Sequence, residues 1–142
     1  MLETVKRMLA AHGIAYAEDG GQLRLTVRCG EHPLETVITE DEECFLRCWA
    51  RLPWRVGADV RAALLEELNA VNAGLRAGCA MILDDYVVFR YGAYIIDEYT
   101  AEEAAADLFV CCVAFADSCW DRVRAVLMRG AGSSNGICFF AI

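Results

Sequence analysis

Two segments in the first half of the chain alternate between apolar and polar residues, and this pattern limits the possible folds more than any other feature. Segment 23–29 places Leu23 and Leu25 on one side and Arg24 on the other, and segment 44–52 repeats the pattern. Side chains two apart on a strand share a face, so both segments are typical of half-buried strands. Segment 34–39 predicts a shorter strand between them. Short turns at 19–21, 30–33 and 40–43 make an antiparallel meander the favoured arrangement.

The rest of the chain adds helices and a second strand pair. Apolar residues at helical spacing predict a short helix at 2–12 and a central helix at 59–77. Asp84 and Asp85 form the predicted turn of a hairpin between strands 79–83 and 86–91. We expect Pro53 to end the third strand.

The last predicted helix begins at a capping box. Thr100 is followed three residues later by Glu103, just before a long segment with apolar residues at helical spacing. This helix is expected to run to about residue 129. The predicted element order is αβββαββα, an α+β fold with an antiparallel sheet packed against helices, because strands occur in adjacent runs. We expect a single domain over 1–130, followed over 131–142 by a glycine-rich spacer and an apolar tail.

Composition excludes several classes of protein. The 142 residues are 57% hydrophobic, which suffices for one core, and the formal net charge is -8. A nucleic-acid partner or an anionic membrane requires clustered basic residues, but Lys6 is the one lysine and the arginines are scattered. No run reaches the roughly 20 apolar residues of a membrane helix. The N-terminal segment lacks the pattern of a secretory signal, so we expect a cytoplasmic protein.

The eight cysteines favour neither a disulfide scaffold nor a metal site. A chain of this size can build a core without disulfides. There is no C-x-x-C pair, and neither His12 nor His32 has ligand spacing to a cysteine. Most of the cysteines fall at apolar positions and are interpreted as small buried hydrophobes. No metal and no cofactor is expected.

No pattern for catalysis is present in the sequence. The two histidines are isolated, and His32 is interpreted as turn surface. The adjacent carboxylate pairs, such as Asp84-Asp85, lie at predicted turns and helix starts, where acidic residues are favoured for solvation and by the helix dipole. Phosphate-binding loops and nucleophile elbows are absent. We therefore expect no catalytic residues and a protein that is not an enzyme.

Three aromatic residues are candidates for binding a partner. Phe45 and Trp49 share the strand face opposite Leu46, and Trp54 follows Pro53 in the predicted loop before the central helix. A solvent-facing aromatic pair on a sheet would be a protein-binding patch. Alternatively, helices cover one face and a second subunit covers the other. The apolar tail at 137–142 either adds to a sheet edge or frays.

With these elements in order, the chain resembles the YbjN family, which shares the type III secretion chaperone-like fold. The resemblance covers nearly the whole chain, from Leu2 to Gly130. It depends on the Leu52-Pro53 pair, the helix segment LLEELNAVN at 64–72, the hairpin segments MILD at 81–84 and VVFR at 87–90, and the helix that follows Thr100. The two asparagines of the helix segment are its most specific part.

The resemblance implies a bacterial αβββαββα domain that forms a homodimer and has no known catalytic residues. Members of the family are described as sensory transduction regulators, and secretion chaperones of similar shape hold an extended polypeptide against apolar patches. We therefore expect a regulatory or chaperone-like protein that binds a polypeptide through exposed apolar surface. A regulator that senses a small molecule or uses a thiol is the alternative.

Overall fold

The computed structural model describes residues 1–42 and 44–131. Its elements follow the order expected for an α+β fold, with one short strand added before the meander and the last helix divided in two. They are α1 (Leu2–Ala11), β1 (Ala17–Asp19), β2 (Gln22–Cys29), β3 (His32–Glu42), β4 (Phe45–Arg55), α2 (Arg61–Ala73), β5 (Cys79–Leu83), β6 (Tyr86–Tyr94), α3 (Ala101–Ser118) and α4 (Trp120–Ala131). The predicted fold class is confirmed.

All six strands form one antiparallel sheet in the order β1-β2-β3-β4-β6-β5. In the meander β2-β3-β4, Val37 pairs with Trp49 and Ile38 pairs with Cys48. The side chains of β4 therefore alternate between the two faces of the sheet, as predicted. The hairpin β5-β6 adds to β4 through β6. Asp84 and Asp85 both have positive φ values at its turn, as a tight hairpin requires.

The core lies between one face of the sheet and the helices. Helix α3 packs across the central strands, α1 packs against α3, and α2 lies beside the edge strand β5. The strand residues that face these helices are almost fully buried; they include Leu23, Leu34, Ile38, Leu46, Leu52 and Phe89. Because the strands alternate, every second side chain of the same strands points away from the helices.

Several expectations about element ends are wrong, and helix α2 ends at Ala73 instead of about residue 77. Strand β4 does not end at Pro53 but continues to Arg55, with an irregular register between Arg51 and Arg55 that accommodates a residue without an N–H. Strand β3 extends through part of the predicted acidic turn to Glu42. Pairing with neighbouring strands outweighs the local turn preference at both places.

The prediction of a capping box is also wrong, although the helix begins where it was predicted. The Thr100 side chain makes no capping bond to the helix and donates instead to Asp97 Oδ2, at 3.3 Å. Glu102 and Glu103 occupy the first turn, where their charges interact favourably with the helix dipole. The helix breaks at Cys119, so the predicted long helix is two helices. The tail at 137–142 lies outside the described residues, and the division of the chain after residue 130 stays a prediction.

Candidate protein-binding face

We use the term open face for the side of the sheet that points away from the helices. No helix or strand among residues 1–42 and 44–131 covers it. An antiparallel sheet commonly leaves one face free in this way. The arginine and aromatic side chains on the open face are Arg24, Arg28, Phe45, Arg47, Trp49, Arg51, Tyr86, Arg90 and Tyr94.

The centre of the open face is a row of stacked cations and aromatic rings. The Arg47 guanidinium lies 5.5 Å from the centre of the Phe45 ring and 5.6 Å from that of Trp49. The Arg90 guanidinium is also 5.6 Å from the Trp49 ring centre. Contacts of this kind fix the arginine planes while leaving most of their N–H groups available for hydrogen bonds. Trp49 therefore orders two cations on one indole ring.

Ion pairs between neighbouring strands flank this row. Arg51 donates to Glu35 on β3, and its guanidinium lies 4.2 Å from the centre of the Tyr86 ring on β6. Arg47 forms an ion pair with Asp41. The side chains of these pairs remain partly exposed, so each contributes about 1 kcal/mol or less to stability. Their main effect is to hold the open face in one arrangement.

A shallow cleft of about 260 Å³ opens on the open face between β4, β6 and the start of β5. It exists because position 92 on β6 is a glycine: a Cβ there would approach Phe45 Cζ to 2.7 Å. Phe45 and Tyr94 make an edge contact at one end, with ring centres 4.7 Å apart. The cleft is lined by Phe45, Arg47, Gly78, Cys79, Arg90 and Gly92, and no carboxylate is among these residues.

The structure brings together two of the three predicted partner-binding residues. Phe45 and Trp49 lie on the open face, both half-buried, as the alternation predicts. Trp54 is not in a loop and does not join them. It belongs to β4 and points to the helix side, where its ring centre is 4.4 Å from that of Trp120. Even-numbered residues of β4 face the core and odd-numbered residues face away from it, so the alternation of the strand places Trp54 and Trp49 on opposite faces.

Sequence reasoning gave no role to the arginines of the open face and missed Tyr94 altogether. The predicted last strand ended at Tyr91, but β6 continues to Tyr94, whose side chain is 63% exposed. Gly92 interrupted the apolar pattern there. The alternation of Arg47 and Arg51 with core residues was a usable signal, since arginines repeated on one strand face indicate a charged surface.

A second polar cluster joins the β2-β3 hairpin to the end of α3. His32 is not turn surface: its Nδ1 lies 2.8 Å from Asp117 Oδ1, and its ring stacks on Trp120 with centres 4.2 Å apart. Cys29 is the cross-strand partner of His32. Burial and the nearby Asp117 carboxylate raise the pKa of the Cys29 thiol, which keeps it protonated and a poor nucleophile. The cluster fixes α3 to the hairpin without an activated thiol.

The seven described cysteines differ in environment. Cys48, Cys112 and Cys119 are buried, whereas Cys111 is exposed on α3 although it was placed in the apolar stripe. Cys112 Sγ donates to the carbonyl oxygen of Cys48 at 3.4 Å. Contact with the Cys112 thiol and burial raise the pKa of Cys48 well above its usual value. Among the described residues no cysteines are bridged and no group of three potential metal ligands occurs.

None of the described helices is long and apolar enough to span a bilayer. The fold and the open face define an α+β protein of two layers. Helices pack on one side of an antiparallel sheet, and the other side carries arginine and aromatic side chains. The chain belongs to the YbjN family, whose model, described as "Putative bacterial sensory transduction regulator", matches residues 1–118. The expected resemblance is confirmed.

The chain is also similar to a solved structure from E. coli, described as "Crystal structure of YbjN, a putative transcription regulator from E. coli". The two share 18% sequence identity and superpose with a TM-score of 0.57 over 94% of this chain and 92% of that one. At this identity the similarity shows the fold. None of the curated proteins compared with the chain matches it.

Proposed function

We propose that this protein is a non-enzymatic regulatory or chaperone-like module that binds another polypeptide through the open face. The observation that carries the proposal is the row of Phe45, Trp49 and the intervening arginines on a sheet face that no described element covers. Aromatic and arginine side chains are enriched where proteins bind one another. Binding would bury Phe45 and Trp49, which are half-exposed in the free chain.

The charge of the chain supports a polypeptide over a nucleic acid. A formal net charge of -8 disfavours a long polyanion such as nucleic acid, whose phosphates extend past the open face, more than it disfavours a short polypeptide segment that the open face covers. A flat strand surface with separate aromatic rings also suits an extended segment, whose alternate side chains contact the sheet. The family description, a regulator, fits a protein that acts through a partner.

Two further parts of the proposal concern chemistry and assembly. We propose no catalytic residue, because His32 is held between Asp117 and Trp120 and the neighbouring thiol of Cys29 is kept protonated. We also propose a homodimer, for which light scattering in solution is the test: a monomer mass at micromolar concentration contradicts it. A cytoplasmic location stays a prediction.

The alternative, a small-molecule or thiol-based regulator, has weaker support. Burial raises the pKa of Cys29 and of Cys119, and this lowers the thiolate fraction that oxidants attack. Cys111 is exposed. If Cys111→Ser abolished a response to oxidant in cells, the thiol function would replace the proposed one.

The proposed function is tested by affinity capture with matched variants. The wild-type protein, the double variant Phe45→Ser/Trp49→Ser and the control Val110→Ser serve as baits in lysate of the native cell. Val110 is 59% exposed on α3, on the helix side of the molecule, so its substitution changes exposed apolar surface away from the open face.

We expect a polypeptide that the wild type and Val110→Ser retain and that the double variant loses. Circular dichroism must show that all three baits are folded. Recovery of the same proteins by all three, or of none above background, contradicts binding through the open face.

A further inference from the structure

The open face carries more arginines than carboxylates, although the protein is acidic. Five arginines lie on it, at positions 24, 28, 47, 51 and 90, in a chain whose formal net charge is -8. The carboxylates of the described residues on the same face are those of Asp19, Glu35, Asp41 and Glu42, which pairs with Phe45. The described part of the open face is therefore slightly basic in a chain that is acidic as a whole.

The arginines of the open face differ in how they are paired. Arg24 pairs with Asp19 at 3.6 Å, Arg47 with Asp41, and Arg51 with Glu35. Arg28 and Arg90 have no carboxylate within 4 Å among the described residues. Arg90 lies on β6, next to the edge strand β5. Its charge is balanced only by the face of the Trp49 ring. A guanidinium in this position has N–H donors available for an incoming anion.

The cleft beside Arg90 has the size and lining for one carboxylate side chain. It contains about 260 Å³, is flanked by Arg47 and Arg90, and has Gly92 where any larger residue would fill it. Phe45 supplies an apolar wall for the methylene groups of a glutamate or aspartate. Two fixed cations beside an apolar wall favour a carboxylate over a neutral amide of the same shape.

We propose that the open face selects an acidic polypeptide segment, one of whose carboxylates binds Arg90 in this cleft, where the Arg90 guanidinium also contacts the Trp49 ring. This inference depends on the proposed function and names the chemistry of the partner. A second copy of the chain bound face to face is a less favourable occupant, because two surfaces with more arginines than carboxylates would oppose each other. The proposed homodimer would then use another surface.

Peptide binding tests this proposal directly. The probe is a fluorescein-labelled peptide of about eight residues that alternates Glu with Val, a length that fits one strand. Its neutral counterpart carries Gln in place of Glu, and single-stranded oligouridine is the third probe. Fluorescence anisotropy measures the three affinities for the full chain at low and at physiological salt, because ion pairs on a surface weaken as salt rises.

The variants are Arg90→Glu, Arg90→Gln and the control Arg124→Glu. Arg124 is exposed on α4, so its reversal makes the same change in net charge away from the open face. We expect the acidic peptide to bind about tenfold more tightly than the neutral one, and Arg90→Glu to lose about tenfold or more. Arg124→Glu should change the affinity by about twofold or less. Arg90→Gln removes the charge without reversing it, and it tests the same contact if Arg90→Glu does not fold.

A second readout locates the peptide. The indole N–H resonance of Trp49, assigned by its absence in Trp49→Phe, should shift on addition of the acidic peptide. Binding that leaves this resonance in place overturns the proposal, as does equal loss of affinity in Arg90→Glu and Arg124→Glu. Tighter binding of oligouridine than of the acidic peptide overturns it as well.

The failure of this inference is distinguishable from failure of the proposed function. If the acidic and neutral peptides bind equally well, the proposed selectivity for an acidic segment is overturned. If Phe45→Ser/Trp49→Ser loses this binding, the proposed binding of a polypeptide through the open face still holds. No binding of either peptide overturns the inference. If the captured proteins are in addition unchanged by the double variant, the proposed function fails too.

Discussion

The two faces of the sheet come from the same strands but have different compositions and different roles. On β4, Leu46 and Cys48 face the helices and are fully buried, whereas Arg47 and Trp49 between them are half-exposed. Alternation at every second residue makes both faces available to one segment of chain. The comparison teaches that stability and recognition can be altered separately in this fold, because neighbouring residues contribute to different surfaces.

The largest effect is expected on the helix face. Phe89 is fully buried on β6, and its ring meets that of Phe115 edge-on with centres 4.8 Å apart. Phe89→Ala leaves a cavity between the sheet and α3, and we expect it to lower the free energy of unfolding by about 3–5 kcal/mol. Urea denaturation followed by circular dichroism measures the loss. A loss below about 1 kcal/mol would mean that the core on this side is not packed as described.

The next effect concerns the sheet edge. The Asn72 side chain on α2 accepts from the Ala80 N–H at 2.7 Å and donates to the Ala80 carbonyl oxygen at 2.9 Å. It therefore takes the place of a neighbouring strand at the outer edge of β5. Asn72→Ala leaves both backbone groups without these partners, and we expect a loss of about 1–3 kcal/mol in urea denaturation.

Asn69→Ala is the matched control for this edge, because Asn69 is exposed on the same helix. It should cost about 0.5 kcal/mol or less. Equal losses in the two variants would show that helix propensity, and not the pairing with β5, accounts for the effect of Asn72.

A smaller effect follows from the buried thiol of Cys48, whose pKa lies well above the ordinary value of 9.0 because of the Cys112 thiol and burial. An acid with a raised pKa in the folded state keeps its proton there after the unfolded chain has released it. Its contribution to stability is therefore complete below pH 9.0 and falls as the pH rises above that value. Denaturation midpoints at increasing alkaline pH should decline, and Cys48→Ala should decline less steeply. Parallel profiles would refute this role for Cys48.

The smallest effect on stability is expected on the open face. Trp49→Ala removes a half-exposed ring and its contacts with Arg47 and Arg90, without opening a cavity in the core. We expect a loss of about 1 kcal/mol or less, measured beside Phe89→Ala in the same denaturation series. A loss as large as that of Phe89→Ala would show that the open face is a second core surface, and the comparison of the two faces would fail.

Local patterns predicted much of this fold. The alternation around Leu46 and Trp49 predicted both strand faces, and the Asp84-Asp85 turn predicted the β5-β6 hairpin. Errors occurred where neighbours outweighed local preference. Strand β4 passes Pro53 because β6 pairs with it on both sides of the irregularity. The side chain of Thr100 bonds to Asp97 in place of the helix N-terminus.

The candidate site was predictable in part for the same reason. Phe45 and Trp49 share a face by strand parity, which the sequence displays directly. Trp54 was misplaced because its position depended on where β4 ends. The contact between Arg90 and Trp49 joins two strands that are far apart in the chain, so no local pattern contained it.

The sequence by itself determined the fold class, the family and the faces on which residues of each strand lie, because these depend on the local periods of helix and strand. Only the tertiary structure decided which face stays open and which arginines there have no carboxylate partner among the described residues. It also decided that Asn72 closes part of the sheet edge and that His32 meets Asp117. These are contacts between segments distant in sequence, and they exist only once the sheet order β1-β2-β3-β4-β6-β5 has formed.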